Sequence, residues 1–161
     1  SYGERAQICN MGDLSQMFSA GNDTCLLNNG HSCSIISTGK DINISDCGFD
    51  TFIASSGENA SITASGDNSH ILSTGDNAHI AVTGDDAFVN CFGKNTVISI
   101  IGKRCVVTAK DWKDVTFVGV HADLAQLSAK GYTSVTSFNP NTSDSVKWRF
   151  MNDGKIEESK K

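Results

Sequence analysis

Four histidines, six cysteines and a recurring aspartate are the side chains of this 161-residue sequence that could do chemistry beyond folding. Histidine acts as a general base, or relays a nucleophile's proton, only with a carboxylate, hydroxyl or thiol in hydrogen-bond reach. Beside His31, His70, His79 and His121 stands no carboxylate pair, no serine elbow and no glycine-rich loop leading into a helix. Cys9, Cys25, Cys33, Cys47, Cys91 and Cys105 include no Cys-x-x-Cys, so no zinc ligand spacing is preformed. Asp67, Asp76, Asp85 and Asp86 lie beside glycines, where a carboxylate either meets a cation or braces a turn. Which of these groups can meet depends on the elements that carry them.

Those elements are set by a repeat. Glycine stands at every ninth position from Gly3 to Gly102, twelve units without an insertion. Five residues after each glycine comes an aliphatic residue or Met, from Ile8 and Met17 to Ile98 and Val107. Two places before that residue the side chain is small or modest, from Ala6 to Cys105. More polar residues alternate with these, giving the period of two of a strand with one buried face. The segment Gly75-Asp76-Asn77-Ala78-His79-Ile80-Ala81-Val82-Thr83 shows the unit whole. Glycine and Asn tolerate positive φ, and Asp and Asn hydrogen-bond turn backbone. The Gly-Asp-Asn trio is therefore expected to form a tight corner, with Gly57, Gly66, Gly75 and Gly84 as structural turns. A unit this short buries too little to fold alone and must stack on its neighbours. The expected fold is all-β, a parallel β-solenoid (β-helix) of nine-residue repeats over residues 3–110. Sorting alternate units separates the outward residues into two unlike faces, which favours two strands and eighteen residues per coil, hence six coils.

The units Gly66-Asp67-Asn68-Ser69-His70-Ile71 and Gly75-Asp76-Asn77-Ala78-His79-Ile80 resemble the nonapeptide arrays of many bacterial and phage-associated proteins, in which Gly-Asp-x-Ala-x-Ile-x-Ser-Ser recurs. The resemblance spans residues 3–110 and implies an architecture and no single activity. Gly48-Phe49-Asp50 and Gly102-Lys103-Arg104 depart from it at the turn.

The repeat frame keeps the reactive groups apart. His70 and His79 hold the same outward position in successive units, so an eighteen-residue coil sends them to opposite sides. Cys33 and Cys105 share an inward position but lie 72 residues apart, and the other cysteines occupy four different positions. Disulfides are therefore not expected; the thiols read as reduced packing residues, which points to a cytoplasmic setting. Calcium-binding nonapeptide rolls resemble Gly-Gly-x-Gly-x-Asp, a pattern no unit here contains, and Lys40, Phe49, Lys94 and Lys103 replace Asp at the corner. Turn bracing is the expected role of the aspartates. Thr63, Thr74 and Thr83 fall in different columns or on different sides, which argues against an ice-binding rank.

Residues 111–161 break the register and read as a small mixed C-terminal cap over the last coil, whose strand groups need covering. A strand is expected over 114–120 and a short helix over 122–130, ending at Gly131. A further strand is expected over 132–138, and the alternation of Val146, Trp148 and Phe150 before Asn152-Asp153-Gly154 signals a hairpin. The first coil has no such lid, so a two-fold homodimer burying Ile8 and the Met11 region is expected.

A net charge of −5 with 19% charged residues opposes nucleic-acid binding, which needs clustered Lys and Arg. No apolar run reaches the roughly 18 residues of a membrane span, and no charged-then-apolar leader is visible. What remains is an asymmetric surface. Outward positions of the units beginning at 12, 30, 48, 66, 84 and 102 carry Phe18, Ile36, Phe52, Leu72, Phe88, Phe92 and Val106. The opposite face carries Gln7, Asn43, Ser45, Ser61, Thr63, His79 and Ser99, with Leu27 and Val97 as exceptions. The expected function is non-enzymatic protein binding without metal or other cofactor, in the manner of a bacterial or phage-encoded immunity protein or inhibitor whose acidity speeds capture of a basic partner. The alternative is a self-assembling component of a phage or cell surface, with ice binding a third reading.

Overall fold

Alternating inward and outward residues make each repeat a short strand, and the polar residues around each glycine turn the chain into the next. Twelve strands result: β1 (Gln7–Asn10), β2 (Gln16–Ser19), β3 (Cys25–Asn28), β4 (Ser34–Ser37), β5 (Asn43–Asp46), β6 (Phe52–Ser55), β7 (Ser61–Ala64), β8 (His70–Ser73), β9 (His79–Val82), β10 (Phe88–Cys91), β11 (Thr96–Ile100) and β12 (Val106–Ala109). Five more follow: β13 (Val115–Val118), β14 (Ala125–Ala129), β15 (Tyr132–Phe138), β16 (Lys147–Phe150) and β17 (Ile156–Glu158). The computed structural model describes residues 3–109 and, beyond them, the strands β13 to β17.

Strands of alternate units pair in parallel at an offset of eighteen residues, so odd strands form one sheet and even strands the other. The protein is thus a β-solenoid of two facing sheets with two strands per coil. Register places Ile8, Leu26, Ile44, Ile62, Ile80 and Ile98 in one column of the odd sheet. Met17, Ile35, Ile53, Ile71, Val89 and Val107 form the matching column of the even sheet. All of them are buried except Ile8, which is partly buried and packs against the rest. Full burial of such a side chain stabilises by about 1.5–3 kcal/mol, and here it recurs in every coil.

The corner glycines act differently from the sequence expectation. Positive φ falls on the second residue after each glycine in all twelve units, at 53–58° from Arg5 to Arg104. Eight of these twelve residues are Asn or Asp, the side chains that tolerate this conformation best. Glycine is needed for close approach instead. From Gly21 onward, an added Cβ would overlap the carbonyl oxygen of the glycine one coil earlier, closer than real Cβ atoms come. Gly57, Gly66, Gly75 and Gly84 meet Gly39, Gly48, Gly57 and Gly66 in this way. Backbone hydrogen bonds continue through the corners: the Asn59 N–H donates to the Asp76 carbonyl at 2.9 Å and the Asn77 N–H to Lys94 at 2.8 Å.

Parallel stacking outlasts the nine-residue motif. β13 pairs in parallel with β11 and β14 with β12, before β15, β16 and β17 end the sheets with antiparallel pairings. The strands expected within 114–120 and 132–138 and the hairpin of β16 and β17 are present. The short helix is not: residues 125–129 of its span form β14, and the described residues contain no helix. The open backbone of β12 offers this segment a full row of partners, with Leu127 opposite Val107, and that pairing overrides a weak helical spacing. Residues 110–114, and with them the end of the expected solenoid at 110, lie outside the described residues.

The corner contact predicts a position-dependent cost. Gly66→Ala or Gly84→Ala should destabilise by at least about 3 kcal/mol, the upper end of overpacking costs. Gly3→Ala, where a Cβ meets nothing within 4 Å, should change stability by no more than about 0.5 kcal/mol. Urea unfolding of the three variants checks the difference.

Candidate functional site

The even sheet's outer face consists of two ladders side by side. One runs Phe18, Ile36, Ala54, Leu72, Asn90 and Thr108; the other runs Gln16, Ser34, Phe52, His70, Phe88 and Val106. The apolar members form a diagonal band that begins on the first ladder and crosses to the second. Phe18 and Phe52 are 43% exposed and Ile36 is 40% exposed, unusually open for side chains of this size. Leu72, Phe88 and Val106 are half-buried by their neighbours. The His70 ring lies 6.0 Å from that of Phe88, tilted by 39°. Phe92 stands apart, one residue beyond β10 at the corner and 50% exposed. Ala54, which the sequence reading passed over, fills the step between Ile36 and Leu72. At the far end the band gives way to a Thr108–Asn90 hydrogen bond.

No outward position of β1 to β12 carries Asp, Glu, Lys or Arg. Each outward side chain sits about 4.8 Å from its counterparts in adjacent coils, so a repeated charge there would face its own kind. Charges gather at the corners, where partners alternate. Lys40 Nζ lies 2.7 Å from Glu58 Oε2, a contact that raises the lysine's pKa. Arg104 Nε donates to Asp86 Oδ1 at 2.6 Å, which holds the Asp86 carboxyl below its usual range and raises the arginine.

The corner aspartates are engaged by backbone. Asp67 accepts from the Asp85 N–H at 2.8 Å, Asp76 from Lys94 at 2.8 Å and Asp85 from Lys103 at 2.8 Å, each one coil on. Bracing of the stack is therefore their observed role. Among the described residues, no three His, Cys, Asp or Glu side chains converge as a metal site. His70 on β8 and His79 on β9 occupy different sheets. His31 stacks on Phe49 with ring centroids 3.8 Å apart, and its Nδ1 accepts from the Phe49 N–H at 3.2 Å. His121 lies outside the described residues. On the first coil, Met11 is 71% exposed and Leu14 81%, while Ile8 is backed by Leu26.

One constellation escaped the sequence reading. Asn10, Asn28 and Asp46 share the last inward position of β1, β3 and β5. Asn10 Nδ2 donates to Asn28 Oδ1 and Asn28 Nδ2 to Asp46 Oδ1, both at 2.7 Å. Each asparagine also grips the glycine two residues on through both of its backbone groups. Asp46 is 0% exposed, and its Oδ2 has no hydrogen-bond partner. Burial pushes its carboxyl pKa up against the opposing pull of Asn28, Gly48, Thr51 and His31. A polar side chain recurring every eighteen residues at an inward position is the signal that would have found it.

Comparison with protein-family models, curated proteins and solved structures gives no match. The functional reading therefore rests on these residues and their geometry.

All six cysteines are free. Cys33, Cys91 and Cys105 pack inside as expected, whereas Cys9 and Cys47 are exposed and Cys25 is half-buried, so the packing role fails for Cys9 and Cys47 and holds only in part for Cys25. Burial drives the Cys91 thiol up to about 12 and raises Cys105 as well. A thiol-reactive dye on the native protein should label Cys9 and Cys47 at once and Cys25 slowly, leaving Cys33, Cys91 and Cys105 until unfolding. Mass spectrometry of the labelled peptides reads the order directly.

Proposed function

We propose that this protein is a non-enzymatic binding module that holds a partner protein against the outer face of its even sheet. The observation that carries the reading is the band from Phe18 through Ile36, Phe52 and Leu72 to Phe88, large apolar side chains displayed on a strand-built surface with no ionised group among them. Solvent gains nothing from such exposure, and contiguous apolar surface of this kind marks contact sites on soluble domains. Aromatic side chains at the centre of a face with charges at its margin also match the anatomy of protein interfaces. The acidic balance of the repeats, eleven Asp and Glu against five Lys and Arg over 3–109, favours a basic partner and faster capture of it. Neutralisation of such a partner, as immunity proteins and inhibitors perform it, is the specific activity we assign. The likeness of the repeats to bacterial and phage-associated arrays agrees with that setting, and the free thiols agree with a reducing compartment.

A second reading is self-association through the first coil, as in a homodimer or a structural assembly. It is favoured by Met11 and Leu14, large and exposed, beside β1 and β2 at the ends of their sheets. The two readings use different residues and separate by mutation.

The wild-type protein and a Leu27→Ser variant of the opposite face should each retain one partner in affinity capture. A variant combining Phe18→Ser, Ile36→Ser and Phe52→Ser should lose it with an unchanged circular dichroism spectrum. Equal recovery by all three, or no partner for any, contradicts the assignment. Sedimentation showing a dimer that Met11→Glu with Leu14→Glu dissolves would favour the second reading instead.

A further inference from the structure

The inward ladder in the odd sheet ends on an acid where its pattern calls for an amide. In the two coils before it, the asparagine side chain works as a complete set. Asn28 Oδ1 accepts from the Gly30 N–H at 3.2 Å, while Nδ2 uses its two protons on the Gly30 carbonyl at 2.8 Å and on Asp46 Oδ1 at 2.7 Å. Asn10 does the same with Gly12 and Asn28.

Asp46 repeats the first half of this arrangement. Its Oδ1 accepts from the Gly48 N–H at 3.3 Å and from Asn28 Nδ2, so Oδ2 takes the place that Nδ2 has in Asn28. In Asn28 that place directs a proton at the Gly30 carbonyl, and the counterpart of that acceptor here is the Gly48 carbonyl. As a carboxylate, Asp46 would set an unpaired oxygen against another acceptor in a site closed to water. With one proton on Oδ2 the same contact becomes a hydrogen bond. The proton count also fits. Ala64 follows Asp46 in the column, so no acceptor waits in the next coil, and an acid's single O–H meets the single acceptor left. The Thr51 hydroxyl donates to the Gly48 carbonyl at 3.2 Å, which the carbonyl's second lone pair accommodates, and its pull on the Asp46 carboxyl is one of those that burial has to outweigh.

We propose that Asp46 closes the ladder as the neutral carboxylic acid, its Oδ2–H donating to the Gly48 carbonyl, and that this corner is a pH-sensitive joint which loosens when the proton leaves. The surroundings offer little to hold a negative charge. β3 presents Asn28 and β7 presents Ala64, the Cys33 thiol lies beside Asn10, and His31 is the ionisable side chain that acts on the carboxyl, in the direction that lowers it. Desolvation outweighs these and raises the carboxyl's pKa. A raised value means that the stabilisation is complete below the unfolded aspartate's pKa of about 3.9 and is lost as pH rises through the folded value.

The test is a pH titration of the side-chain carboxyl of Asp46 by carbon NMR in the unmodified protein, assigned through the backbone, with melting curves of wild type and Asp46→Asn over the same range. The expected result is a midpoint above the ordinary aspartate value, with the wild-type melting temperature falling relative to Asp46→Asn as pH passes that midpoint. A midpoint at or below the ordinary value overturns the proposal, and so do melting temperatures that run parallel. Because the titration needs no variant, it decides the matter even if Asp46→Asn does not fold.

Discussion

The structure depends on the contact of each corner glycine with the glycine carbonyl one coil before it. There is no room for a Cβ in that contact, so any other residue would push two coils apart at the point where the chain reverses. Close approach at every corner keeps the coils in one register, and that register fixes everything placed on them. A residue meets its own counterpart eighteen positions away on both sides, so the solenoid multiplies whatever property a position carries. Isoleucine multiplied becomes a continuous core, and asparagine multiplied becomes a hydrogen-bonded ladder. Charge multiplied becomes repulsion, which is why ionised side chains leave the faces and gather at corners where backbone N–H groups and opposite charges receive them.

That sorting also shapes the two surfaces. Without charges, each broad face is defined by what remains, and the two sheets differ. The odd sheet shows mostly small polar side chains, with Leu27 37% exposed among them. The even sheet instead displays a diagonal of Phe, Ile and Leu. Because parallel strands leave both columns of a face regularly spaced and stiff, such a band loses little conformational freedom on contact, and preorganised surfaces bind at lower entropic cost. β13 and β14 continue the two sheets by one parallel strand each before β15, β16 and β17 add antiparallel pairings.

The repeat was legible because it is periodic in residue type. Glycine every ninth residue and an aliphatic five places later fix strand, corner and core, and the separation of outward residues by alternate units points to two strands per coil. The reason for glycine was not legible: a close approach between coils and a positive φ call for the same residue, and only the fold shows that Asn68 and Asn77 take the φ while Gly66 and Gly75 take the contact. Ala54 was missed because an alanine carries no weight until Ile36 and Leu72 are seen on either side of it. The Asn10, Asn28 and Asp46 ladder was hidden by its own variety, two amides and an acid in a position that elsewhere holds Ser, Ala, Val, Cys or Ile. Beyond the repeats, a short helix was expected over 122–130, whereas pairing along an open sheet edge decided the structure of 125–129.

The account stands on the eighteen-residue coil, and nuclear Overhauser contacts between core side chains measure that offset directly. Selective methyl labelling should connect Ile35 with Ile53 and Ile53 with Ile71 in one column, and Ile44 with Ile62 in the other. Connections instead between isoleucines twenty-seven residues apart, such as Ile35 with Ile62 or Ile44 with Ile71, would mean three strands per coil and would contradict the two faces, the ladder and the corner contact together.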